Sequence, residues 1–135
     1  MPLQLLAAPA ARRARGLLYW DHGDTLNSYE EKQYSHIEFV LNYTELKSEV
    51  HWWGYGVPPV DRVTLLGQPR PVRGVAIDGA PCLQPCQFTY NPNNKVLEIF
   101  NITLALDKPF SIKWTFKLIT PFVNRVEKVR NDTLV

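Results

Sequence analysis

Apolar and polar positions alternate along much of this chain with the two-residue period of a β-strand. The clearest case is His36 to Tyr43, where Ile37, Phe39 and Leu41 share one face and Glu38, Val40 and Asn42 the other. Val60 to Leu66 puts Val63 and Leu65 together, Val96 to Leu106 alternates throughout, and Phe110 to Phe116 lines up Phe110, Ile112, Trp114 and Phe116. Shorter apolar runs lie at Leu3 to Ala8, Gly16 to Trp20, Val72 to Ile77 and Phe88 to Tyr90, with a weaker one at Leu46 to Trp52. Turn chemistry separates them: Asp21-His22-Gly23-Asp24, Gly54 to Pro59, Gly67 to Pro71, Asp78-Gly79, Asn91-Pro92-Asn93-Asn94 and Asp107-Lys108-Pro109. Eight or so short strands, with a turn every ~8–12 residues, predict an all-β antiparallel sandwich over residues 1–116. The tail, 117–135, either lines Phe122, Val126 and Val129 along a short helix or runs on as a terminal extension.

Composition narrows the class. The 135 residues fit one domain and can bury a core without disulfides. With 45% hydrophobic and 21% charged residues the chain reads as globular, and its 11 prolines favour turns over long helices. A net charge of +2 argues against a nucleic-acid partner. No apolar run approaches the ~18 residues of a membrane span. Met1 to Ala11 is apolar, but Arg12-Arg13 follows it instead of preceding it, so no signal peptide is expected in this chain.

Chemistry-bearing residues are few. Asp21 and Asp24 form a carboxylate pair, and on a tight turn they are expected to cap backbone N–H groups. A calcium site completed by Asn27 is the sharper alternative, without the spacing of an EF-hand loop. Tyr19 and Trp20 sit in an apolar strand and read as packing residues. Trp52, Trp53 and Tyr55 cluster beside glycines at the end of a strand; packing at a domain contact is the first expectation, and stacking on a sugar ring the second. Nothing makes His22, His36 and His51 converge, so no metal site is expected, and no cofactor either. Cys82 and Cys86 lack a second pair for zinc and either close a local disulfide or stand as two thiols. Sequons begin at Asn42, Asn101 and Asn131, the first two on alternating strands that would turn their side chains outward.

Arg15-Gly16-Leu17-Leu18-Tyr19-Trp20-Asp21-His22-Gly23-Asp24-Thr25 resembles the "G-x-L-F/Y-W-D-D-G-D/E-S/T" signature of the distal C-terminal β-sandwich in family 31 glycoside hydrolases, the α-glucosidases. Further pieces follow in order: Tyr29 to Tyr34 ("Y-E-x-G-x-Y"), Val63 to Gly67 ("V-x-V-L-G"), Val75 to Gly79 ("V-x-V/L-N-G"), Phe88 to Ile99 ("F-x-Y-x-x-x-x-K-V-L-x-I") and Phe110 to Trp114 ("F-x-I/V-x-W"). The likeness covers Pro2 to Phe116 and gives Tyr19, Trp20, Asp21, Gly23 and Asp24 a structural role in the motif. His22 stands where the family has a second acid, and the tail runs past the usual end.

The resemblance implies a sandwich attached to a catalytic barrel that hydrolyses terminal α-glucosidic bonds in maltose-like or glycogen-like substrates. The family's catalytic aspartates lie on that barrel, one in a "W-x-D-M-N-E"-like segment, and neither motif is present. A barrel alone takes about 250 residues, so this chain is expected to be a fragment or separate distal domain with no catalytic residue. Its implied partners are the parent barrel and an α-glucan, and its implied location is the secretory pathway, lysosomal or extracellular.

Overall fold

The computed structural model describes residues 2–7, 13–21 and 32–118. Ten strands follow one another: β1 Leu3–Ala7, β2 Arg13–Asp21, β3 Tyr34–Asn42, β4 Glu45–Trp53, β5 Val60–Leu65, β6 Val72–Ile77, β7 Ala80–Pro81, β8 Gln87–Asn91, β9 Val96–Leu104 and β10 Ser111–Phe116. They form a four-stranded sheet in the order β1-β5-β9-β8 and a six-stranded sheet in the order β2-β3-β4-β10-β6-β7. Every pair is antiparallel except β1–β5, which is parallel and starts from Leu3 opposite Val60. The short β7 has no counterpart in the alternation pattern, because two residues are too few to show a period. The expected tail lies mostly outside the described residues.

The inner faces of the two sheets share one core. Ile37, Leu41, Leu46, Val75, Ile112 and Trp114 come from the six-stranded sheet, and Val60, Val63, Leu65, Leu97, Ile99, Ile102 and Leu104 from the four-stranded one. Trp114 is buried, and its indole N–H donates to Gln68 Oε1 at 2.9 Å. Leaving such a buried donor unpaired would cost roughly 1–3 kcal/mol. Gln68 in turn accepts the Tyr90 hydroxyl on its own carbonyl, which ties the β5–β6 connection to β8.

Local chemistry explains the turns. Asp78 and Gly79 both have positive φ, 51° and 83°, as a two-residue type I′ hairpin requires. Between β8 and β9, the Asn91 side chain accepts from Asn93 N at 2.9 Å. Two strands change phase midway. In β9, Leu97 and Ile99 face the core, and so do Ile102 and Leu104; the step falls at Asn101, whose φ of 56° suits asparagine better than most residues. In β4, Ile37 of β3 pairs with Val50 but His36 pairs with Trp52, which leaves His51 as an extra residue in a β-bulge.

Cys82 and Cys86 are joined in a disulfide with Cα atoms 5.3 Å apart.

A candidate site on the outer face of the six-stranded sheet

Because Ile37 and Leu41 point into the core, the even-numbered residues of β3 point outward. The register then assembles one surface. Tyr19 lies opposite His36, Asp21 opposite Tyr34, Leu17 opposite Glu38, Glu49 opposite Glu38 and Trp52 opposite His36. Three aromatic rings make a row across β2, β3 and β4. Tyr19 stacks on Tyr34 with centroids 5.0 Å apart, and Trp52 lies 6.4 Å from Tyr34. The Lys32 ammonium sits 5.1 Å from the Trp52 ring, and Trp52 Nε1 donates to the Lys32 carbonyl at 3.2 Å.

The bulge at His51 settles the fate of the aromatic cluster. Trp53 pairs with Ser35, on the inward-facing set of β3, whereas Trp52 pairs with His36 on the outward set. Adjacent in sequence, the two tryptophans therefore leave the sheet on opposite faces and do not make a shared platform with Tyr55. All three are exposed, at 37–40%. Trp52 instead joins Tyr19 and Tyr34. Tyr19, expected to pack inside, is 44% exposed on this outer row, while Trp20, one residue on, is half-buried beside Ser35. Strand alternation forces that split: two neighbours in a strand cannot both be inside.

The turn after β4 is held by Ser35. Its buried hydroxyl donates to the Tyr55 carbonyl and accepts from Gly54 N and Tyr55 N at 3.3 and 3.1 Å. Gly54 N also donates to the Tyr34 carbonyl at 2.8 Å. A Cβ at position 54 would come within 2.1 Å of the Lys32 carbonyl oxygen and 2.7 Å of that of Tyr34, so only glycine fits.

Beside the aromatic row lies a polar cluster. Glu38 lies on the face of β3 opposite Ile37 and Leu41, yet it is only 3% exposed. Its carboxylate is held from two sides, with Arg15 Nε against Oε2 and His51 Nε2 2.8 Å from Oε1. His36 and His51, fifteen residues apart and not expected to converge, have ring centroids 5.2 Å apart. Ligand atoms of Glu38, Glu49 and His51 all lie within 4.8 Å of one another. This cluster escaped sequence reasoning, although a signal was present. His36-x-Glu38 and Glu49-x-His51 are each two residues apart, and a tight hairpin joins their strands; period two then puts all four on one face.

The remaining predicted positions scatter. Asp21 is half-buried at the end of β2, while His22, Gly23, Asp24 and Asn27 lie outside the described residues, so the turn and calcium readings of that loop are not addressed. Asn42 and Asn101 are exposed, and Asn131 lies outside the described residues.

No family model matches the chain. It is similar to human intestinal sucrase-isomaltase, 29% identical over 129 residues, an alignment covering 82% of this chain and 6% of that protein. It is likewise 31% identical over 112 residues to mouse lysosomal alpha-glucosidase, covering 82% of this chain and 11% of the relative. Among solved structures it resembles the glucosidase II alpha subunit, with a TM-score of 0.59 and 21% identity over 77% of this chain and 13% of that one. The chain therefore spans only a small part of each protein that it matches. Over most of its length the chain, an all-β sandwich, is thus similar to a domain-sized portion of these glucosidases.

Proposed function

We propose that this chain is a non-catalytic accessory domain that packs on the catalytic barrel of an α-glucosidase and stabilises it. The observation that carries this reading is the alignment of most of the chain to a domain-sized slice of much longer glucosidases. The activity of the whole enzyme would be hydrolysis of terminal α-glucosidic bonds in maltose-like or glycogen-like substrates. Glu38 and Glu49 come together, but a retaining glycosidase sets two carboxylates about 5–5.5 Å apart across a sugar cleft. Here Glu38 is buried on a sheet face and engaged by Arg15 and His51. The Cys82–Cys86 disulfide and the exposed sequon residues Asn42 and Asn101 support passage through the oxidising secretory pathway, with glycans on both asparagines.

The test is thermal unfolding of an α-glucosidase catalytic portion prepared without its own distal sandwich. Adding this chain should raise the unfolding temperature, and the chain alone should release no glucose from maltose. An unchanged temperature counts against the reading, and glucose release by the chain alone overturns it. A second reading, a carbohydrate-binding surface, is favoured by the aromatic row Tyr19–Tyr34–Trp52. Saturable heat on titrating maltotetraose, lost in Trp52→Ala, would favour it over the first.

A further inference from the structure

We propose that Glu38, Glu49 and His51 form a site for a divalent transition-metal ion of the zinc class. One imidazole nitrogen and two carboxylates are a donor set that zinc takes readily, leaving a fourth position for water.

Three observations support the assignment. First, the donors converge from two paired strands, Glu38 on β3 and Glu49 and His51 on β4. His51 Nε2 and Glu38 Oε1 share a hydrogen bond at 2.8 Å, and a small side-chain rotation that releases its proton opens the pair to the roughly 3.4 Å between two ligands of a tetrahedral zinc ion. Glu49 and His51 are exposed and can close on the fixed Glu38 by side-chain rotation. Second, Glu38 is buried and already oriented. Arg15 engages Oε2 and leaves Oε1 facing His51, so Arg15 acts as the outer partner that positions a ligating carboxylate. Third, two carboxylates face each other across the strand pair. Glu38 and Glu49 are direct cross-strand partners, an arrangement that destabilises a sheet when both carry the same charge. Arg15 offsets one carboxylate, and Glu49 makes no ion pair among the described residues. A divalent cation between the three donors would remove that repulsion. With both cysteines in a disulfide, no thiol competes for the metal.

The test is calorimetric titration of Zn²⁺ into the full chain, with Co²⁺ absorption as a spectroscopic readout. One saturable event is expected, together with a Co²⁺ d–d band that zinc abolishes. His51→Ala and Glu49→Gln should each weaken binding by more than about tenfold, whereas His22→Ala should leave it unchanged. Glu49→Gln keeps the shape of an exposed side chain, and circular dichroism of each variant separates lost ligation from lost fold. Absence of saturable heat overturns the proposal. So does zinc binding that survives His51→Ala or Glu49→Gln in a folded chain, or that is lost with His22 instead.

Discussion

A methyl group at position 54 would lie 2.1 Å from one backbone carbonyl oxygen and 2.7 Å from another. Neither can yield like a flexible side chain, so Gly54→Ala should destabilise the chain by about 1–3 kcal/mol, read as a lower urea midpoint. An unchanged midpoint would mean that the turn after β4 re-forms without the Ser35 contacts. The glycine was visible in the sequence as a strand breaker, but the two carbonyls crowding it come from Lys32 and Tyr34, far along the chain. The same limit applies to the aromatic residues. Composition drew the eye to Trp52, Trp53 and Tyr55; the surface that actually forms pairs Trp52 with Tyr19 and Tyr34, which only cross-strand register reveals. Glu38 looked like an ordinary solvent-facing position in an alternating strand. Its burial comes from Arg15 and His51 on the flanking strands.

At the scale of elements, alternation and short apolar runs bounded by turns located nine of the ten described strands to within a few residues, because a half-buried strand must place every second side chain in the core. It missed the bulges at His51 and Asn101, where the phase shifts within a strand that still reads as periodic on either side. Pairing of β4 with β10 also has a titratable signature. Glu45 starts β4 and meets Lys113 of β10 in register, with Lys47 near its carboxylate and the Ser111 hydroxyl donating to it at 3.1 Å. Slight desolvation opposes the charged form, but the Ser111 bond and the two ammonium groups outweigh it and hold the Glu45 carboxyl below its ordinary 4.5. A carboxyl depressed by folding stabilises the native state above its unfolded pKa and loses that contribution as the pH falls through the folded value. Unfolding by urea should therefore show wild type more stable than Glu45→Gln at neutral pH, with the gap closing as the pH falls below 4.5. A gap of constant size would remove Glu45 from the acid response.

For the whole molecule, the sandwich class was legible and the order of strands within it was not. Turn signals show where the chain reverses, but they do not say that the edge of β4 away from β3 will be taken by β10, or that β1 will cross to the opposite sheet. These choices are made by the shared core, where Trp114 and Ile112 from near the end of the described chain meet Ile37 and Leu41. The parallel β1–β5 pair carries a consequence in time. Leu3 has no partner until Val60 exists, and three strands of the other sheet are made in between. During synthesis, β1 is made well before its partner β5 and must wait, its apolar side chains uncovered, for a loop of more than fifty residues to close. Non-local pairing of this kind puts folding in the range of milliseconds to seconds. Pulsed hydrogen exchange during refolding should find the β1 amides protected after those of the β3–β4 hairpin; equal or earlier protection would show that β1 does not wait for β5.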